Sequence, residues 1–185
     1  INDEPSYYQW ILLQKNLFSK HPCRNPTYGD KKVIKNLTRE KVLDYFNRYY
    51  VPNNMIISVV GDLPNWRKEI AKRFVFKRGA KVKKVQTHEP IAKKNVIKKE
   101  KKNISSTYTV MGFKTCPRTN PDICVLEVIN SILGRGQSGR IFTELRSKRG
   151  LAYDVGSQNI SEASFGYFAI YATIKKKNQE LVKKL

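Results

Sequence analysis

The chain has 185 residues, of which 40% are hydrophobic, and a formal net charge of +21 at pH 7. This length suits one ordinary domain or two small ones, and the longest apolar run, at residues 55–60, is too short to span a membrane. Three cysteines (Cys23, Cys116 and Cys124) lack the C-x-x-C spacing of zinc sites and do not form an even disulfide set. They favour free thiols in a reducing compartment, so we expect a cytoplasmic protein.

The first half of the chain shows mainly helical periodicity. Its helix patterns cover residues 7–18, a segment that starts at Thr38, and residues 65–76. Thr38 is placed to cap the second of these helices, and a Pro-Asn-Asn sequence at 52–54 ends it. The apolar run at residues 55–60 predicts a buried strand.

The second half alternates strand and helix patterns. Its strand patterns lie at 104–114, 151–160 and 165–174, and its helix patterns at 122–133 and 178–185. Between the halves, the sequence is highly charged and weakly periodic. We therefore predict a first domain at 1–80, a basic linker at 81–102 and a second domain at 103–185.

A glycine-rich turn at residues 134–139 leads into a short amphipathic helix. Ile141, Phe142 and Leu145 fall on one face of this helix. Ser138 is placed to cap its start, and Gly150 to supply a left-handed stop at its end.

The glycines of this turn match the G-x-G-x-x-G fingerprint of dinucleotide-binding proteins. That fingerprint indicates nucleotide binding only where it connects a strand to the helix whose start binds the pyrophosphate. Here it follows a predicted helix, so we interpret Gly134, Gly136 and Gly139 as residues of a backbone turn.

The positive charge is concentrated at residues 93–102 and 175–177. Nucleic-acid binding would need these cations on one face with a recognition motif, and the sequence shows no recognition-helix pattern, aromatic-glycine strand motif or zinc knuckle. A solvated surface without specific nucleic-acid binding is the favoured interpretation. A basic nucleic-acid-binding protein remains the alternative from another functional class.

Two blocks of the sequence are distinctive together. They are residues 49–62, Tyr-Tyr-Val-Pro-Asn-Asn-Met-Ile-Ile-Ser-Val-Val-Gly-Asp, and residues 134–153, which run from the glycine turn to Arg-Gly-Leu-Ala-Tyr. In this order they resemble segments of zinc metallopeptidases of the insulinase, pitrilysin and mitochondrial-processing-peptidase family. The resemblance implies an α+β fold of two incomplete homologous domains, each an antiparallel sheet with helices packed on one face. It assigns the chain to the end of the catalytic-type first domain and the start of the metal-free second domain.

In that family, an H-x-x-E-H helix and a downstream glutamate hold zinc. The chain contains only His21 and His88, and neither lies in such a motif. The resemblance therefore implies a zinc metalloendopeptidase whose zinc ligands lie upstream of Ile1, and a chain that is inactive alone. A non-catalytic core or partner subunit of the same family is the alternative.

Arg146 and Tyr153 match an arginine–tyrosine pair through which the family's second domain reaches the substrate peptide. Hydrolysis builds negative charge on the scissile carbonyl oxygen, and preorganised donors stabilise it. The resemblance thus implies that Arg146 and Tyr153 bind substrate. It also implies that a peptide or protein substrate lies as an added strand between paired halves of a homo- or hetero-oligomer.

Overall fold

The computed structural model of the chain describes residues 4–77, 79–82, 87–90, 96–101 and 103–185. It divides into two compact units: the sheet unit, residues 1–27 with 86–185, and the helical unit, residues 28–85. Residues 83–86, 91–95 and 102 of the predicted linker, and with them part of the basic run at 93–102, lie outside the described residues. The domain boundaries inferred from the sequence therefore stay a prediction.

The described residues form seven helices and one antiparallel sheet. The helices are α1 (Pro5–Leu17), α2 (Lys31–Lys35), α3 (Arg39–Tyr49), α4 (Trp66–Arg73), α5 (Ile123–Gly134), α6 (Arg140–Phe142) and α7 (Gln179–Lys184). The strands are β1 (Thr107–Thr115), β2 (Ala152–Ser161) and β3 (Gly166–Ile174). Their order in the sheet is β1-β3-β2, so β3 is central. This arrangement confirms the predicted α+β fold.

Helices cover both faces of the sheet, whereas the resemblance implied helices on one face, because α1 packs on the face opposite to α6. Along β3, side chains alternate between the faces, as in any strand. On one face, Tyr167 and Ala169 pack with Phe18 and with Trp10 and Leu13 of α1. On the other, Ala172 and Ile174 pack with Leu145 and Val155, and Ile141 and Phe142 of α6 join them. The predicted apolar face of the short helix is thus confirmed.

The helical unit contains α2, α3 and α4. The Thr38 cap is confirmed, because its Oγ1 accepts a hydrogen bond from the Lys41 amide at 3.4 Å. Two aromatic pairs run along α3 and its end, Tyr45 with Tyr49 at 4.4 Å and Phe46 with Tyr50 at 4.8 Å between ring centroids. These rings leave much of their area exposed.

The strand predicted at residues 55–60 is wrong. These residues have no regular secondary structure and pair with no strand among the described residues, and Ile56 and Val60 are 97% and 94% exposed. A strand needs a neighbouring strand for its backbone groups and a face against which to bury its side chains. The strand was predicted from apolar composition alone. Among the described residues, this segment has neither a neighbouring strand nor a face that buries its side chains.

Candidate functional site

The predicted glycine turn connects α5 to α6. Gly134 is the last residue of α5, Gly136–Ser138 form a 3-10 turn, and Gly139 precedes α6. The predicted Ser138 cap is wrong, because the 3-10 turn takes up that residue and its side chain makes no capping bond to the helix. Gly150 has a φ of +60° and follows the helical segment, as predicted for its stop.

Two of the turn glycines are required for different reasons. A Cβ on Gly134 would lie 2.2 Å from the Ser157 amide nitrogen, so only glycine lets the end of α5 rest against β2. Beside it, Ser157 donates to the Asn130 side-chain oxygen at 2.7 Å. Gly136 has open space around it but a φ of +67°, which L side chains disfavour. Packing and backbone geometry therefore explain these glycines without a bound nucleotide.

We expect Gly134→Ala to destabilise the protein more than Gly136→Ala. The first forces a Cβ against backbone, which costs about 1–3 kcal/mol of unfolding free energy or more. The second costs about 1–2 kcal/mol, the usual penalty for a left-handed conformation. Chemical denaturation of the two variants checks the order. Equal losses would contradict the close packing of α5 on β2.

Arg146 lies on a π-helical turn, Thr143–Ser147, that continues α6. Leu145 faces the core, which leaves Arg146 on the exposed side. Its guanidinium carbon lies 5.1 Å from the centre of the Phe142 ring, a cation–π arrangement. The neighbouring carboxylate, Glu144, is already engaged: hydrogen bonds from Lys148 and Arg149 lower its pKa to about 2.

Tyr153 lies at a β-bulge in β2. Ala152 pairs with Ile174 and Asp154 pairs with Thr173, so Tyr153 is the extra residue. Ala152 and Val155 are both buried, while Tyr153 is 56% exposed. The bulge therefore turns the phenol outward at the start of an edge strand. The burial of both Ala152 and Val155, three residues apart in one strand, is the structural sign of this bulge.

The chain brings Arg146 and Tyr153 to the same end of the sheet. The Leu151 amide donates to Leu145 O at 2.8 Å, and the Gly150 amide donates to Arg146 O at 3.0 Å. These bonds tie the end of the helical segment to the first residues of β2. Within the described part of the chain, neither the Arg146 guanidinium nor the Tyr153 hydroxyl donates a hydrogen bond, so both donors remain available to a ligand.

His21 has a structural role. Its Nδ1 accepts from the Cys23 amide at 3.1 Å, and its Nε2 lies 3.1 Å from Ser164 Oγ. The ring is buried and lies 4.9 Å from the Phe165 ring centre. Because an amide can only donate, Nε2 carries the proton and donates to Ser164. His21 is therefore neither a free metal ligand nor a base for Ser164.

The described residues of this chain do not fit a catalytic zinc site. Both ring nitrogens of His21 are engaged, and His88 is exposed. Among the described residues, no group of three or more His, Cys, Asp or Glu side chains is placed to hold a metal ion. A catalytic zinc normally takes three protein ligands.

Glu89, a residue that the sequence did not single out, is bound tightly within the sheet unit. Its carboxylate accepts from the amides of Ser19 (2.7 Å), Lys20 (2.8 Å) and His21 (2.7 Å). The Lys114 ammonium also donates to it at 2.8 Å. Burial alone would raise the pKa of this carboxyl, but Lys114 and the three amides outweigh burial and hold it well below its ordinary value. The segment around Glu89 is thereby fixed to the end of α1.

The three cysteines are unpaired. Burial, with the nearby Glu89 carboxylate, raises the pKa of the Cys23 thiol to about 11. At neutral pH Cys23 is therefore protonated, which makes it a poor nucleophile. Among the described residues, no helix has the length and apolar character required to cross a bilayer.

Comparison with known proteins gives consistent results. The family model of the peptidase M16 inactive domain matches residues 36–185. A zinc protease of Rickettsia felis, named as uncharacterized, is 27% identical over 98% of this chain and 44% of its own length. The uncharacterized zinc protease YmxG of Bacillus subtilis is 28% identical over 91% of this chain and 41% of its own length.

The crystal structure of a peptidase M16 inactive domain from Pseudomonas fluorescens superposes with a TM-score of 0.82 at 27% identity. It covers 99% of this chain and 45% of the solved chain. The chain thus spans less than half the length of the relatives that it matches. It belongs to the peptidase M16 family, within the region described as that family's inactive domain.

Proposed function

We propose that this chain is the substrate-holding part of a zinc metalloendopeptidase and does not itself supply the zinc site. The main observation in support is the position of Arg146 and Tyr153. They are two exposed hydrogen-bond donors at one end of the sheet in an M16 inactive domain. Relatives named as zinc proteases support the reaction class. Zinc supplies the hydrolytic chemistry and is bound by residues other than those described here.

The chemistry of the two side chains suits peptide binding. A guanidinium and a phenol donate hydrogen bonds to peptide carbonyls whatever the neighbouring side chain is. They also suit the negative charge that develops on the scissile carbonyl oxygen during hydrolysis. Tyr153 lies on β2, an edge strand of the described sheet, where an extended peptide can add as a further strand. π-helical turns such as the one that carries Arg146 are frequent at functional sites.

The partner in catalysis is the zinc-holding half of the peptidase, either in the same polypeptide or in a second subunit. The chain's match to less than half of its relatives' length supports this arrangement. The non-catalytic core subunit remains the alternative within the family, and zinc-dependent cleavage by the whole protein separates the two.

We expect the whole protein to cleave an unstructured peptide, to lose this activity on chelation and to regain it with Zn²⁺. The isolated chain should retain no stoichiometric zinc after dialysis and should cleave no peptide, since it lacks a three-ligand cluster among its described residues. Metal analysis and a peptide-cleavage assay check both statements. One tightly held zinc per isolated chain, or no cleavage by the zinc-loaded whole protein, would contradict the proposal.

A further inference from the structure

A cluster of exposed lysines lies at the same end of the sheet as Tyr153. Lys175, Lys176 and Lys177, the lysine cluster, directly follow Ile174 at the end of β3. Ile174 pairs with Ala152, the residue before Tyr153, so the register places the cluster next to the bulge. The Asn178 amide group, 3.5 Å from Leu151 O, holds the segment there.

The charge at this end of the sheet is strongly unbalanced. Residues 140–154 and 175–184 contain nine cations and three carboxylates. Glu144 is taken up by Lys148 and Arg149, and Glu180 lies 3.7 Å from Lys183. The lysine cluster is exposed, and none of its ammonium groups reaches a carboxylate among the described residues. Arg140 and Arg146 are likewise exposed without a carboxylate partner in that set.

An extended peptide on the free edge of β2 would pass close to these cations. Strands in a sheet are spaced by about 4.8 Å, so an added strand would lie roughly 10 Å from β3. This distance is comparable to the screening length of about 8 Å at physiological ionic strength. Long lysine side chains shorten the distance further. Carboxylates on the peptide would therefore be attracted, and the attraction would weaken with added salt.

We infer that this end of the sheet selects peptide segments that carry Asp or Glu next to the residues held by Arg146 and Tyr153. The inference rests on the proposed function and adds a substrate class to it. An edge strand offers backbone hydrogen bonds to an extended chain, which favours a peptide as the occupant. Binding of single-stranded nucleic acid would instead require several exposed aromatic side chains on which bases can stack. Residues 140–154 and 175–184, all of them described, have one exposed aromatic side chain, Tyr153.

The test uses the whole protein and two fluorescent peptides that differ only in Glu or Gln at three positions. Anisotropy measures Kd for each peptide. We expect the Glu peptide to bind about tenfold more tightly at low salt, as several exposed ion pairs would provide. The preference should largely vanish in 0.5 M salt, where screening is short-ranged.

The double variant Lys176→Gln/Lys177→Gln should reduce this preference about threefold or more, because each lost exposed pair contributes a small factor. The matched control, Lys15→Gln/Lys20→Gln, removes the same charge where α1 ends, beside Phe18 and the opposite end of β3. It should keep the preference. Thermal melts verify that both variants fold.

Equal Kd values for the two peptides, or equal effects of the two double variants, would overturn the inference. A second result would also overturn it: the protein binds a single-stranded RNA tightly, the Lys176→Gln/Lys177→Gln variant loses this binding, and the protein does not prefer the Glu peptide over the Gln peptide. Because binding does not require cleavage, a preference measured in a protein that cleaves nothing contradicts only the proposed function. Equal binding with intact zinc-dependent cleavage contradicts only this inference.

Discussion

Replacing Tyr153 with Phe in the whole protein is expected, under the proposed function, to lower turnover by about 100-fold or more, the usual loss when one transition-state donor is removed. Only a hydroxyl is deleted, and Tyr153 is 56% exposed. The free energy of unfolding should therefore stay near the wild-type value. Zinc content should be unchanged, because Tyr153 is proposed to contact substrate and not metal. Steady-state kinetics, a melting curve and metal analysis together check this result.

Arg146→Lys provides a second variant of the same site. It keeps the positive charge but loses the planar guanidinium, which can form two parallel hydrogen bonds. We expect reduced turnover or weaker peptide binding at normal stability. Lys148→Gln is a matched control, since Lys148 is a nearby exposed cation already paired with Glu144. If Tyr153→Phe and Arg146→Lys keep full activity, or lose it only through unfolding, the pair is structural and the site assignment is wrong.

Among the substitutions considered, Glu89→Gln is expected to give the largest decrease in the free energy of unfolding. The substitution removes the charge that compensates Lys114 and the three amides at the end of α1. Removing one partner of a buried ion pair costs about 3–5 kcal/mol. The Glu89 side chain is 12% exposed, so we expect a loss of about 2–4 kcal/mol, slightly below that range. Chemical denaturation measures it.

Glu144→Gln is the control for Glu89→Gln. Glu144 also pairs with two cations, but its side chain is 42% exposed. Exposed ion pairs contribute little to stability because solvent screens them, so this variant should unfold close to the wild type. Similar losses in both variants would contradict the view that burial makes Glu89 important.

The contribution of Glu89 should also depend on pH in a defined direction. Its pKa in the folded protein lies below the ordinary 4.5 of the unfolded chain. The stabilisation is therefore complete above about pH 5 and decreases as the pH falls below the unfolded value. The stability difference between wild type and Glu89→Gln should be constant from pH 7 to about 5 and shrink in stronger acid. A difference that grows on acidification would contradict the assigned ion pair.

Much of the fold follows from local pattern. Helical spacing predicted α1 and α5, and the strand patterns at 151–160 and 165–174 predicted β2 and β3. Residues 55–60 show the limit of this reasoning. An apolar run does not specify whether a neighbouring strand exists, and pairing is a property of the tertiary structure.

The site was less predictable. Arg146 and Tyr153 were selected through family resemblance, since spacing alone equally fits an ordinary helix end and strand start. The bulge that exposes Tyr153 was not predicted, because a bulge is defined by the pairing of β2 with β3, which a strand pattern at 151–160 does not specify. Glu89 was missed because its partners, Ser19 to His21 and Lys114, are distant in sequence and meet only in the folded chain.

Photo-crosslinking from position 153 tests most directly whether this part of the protein holds substrate. A photoreactive benzoylphenylalanine replaces Tyr153 in the zinc-loaded whole protein, and Tyr7, a 46% exposed tyrosine of α1, is replaced in the control. We predict a crosslink between position 153 and a bound peptide that excess unlabelled peptide prevents, with none from position 7. Two results would contradict the account in a protein that still binds the peptide. One is no crosslink from position 153, and the other is an equally strong crosslink from positions 153 and 7.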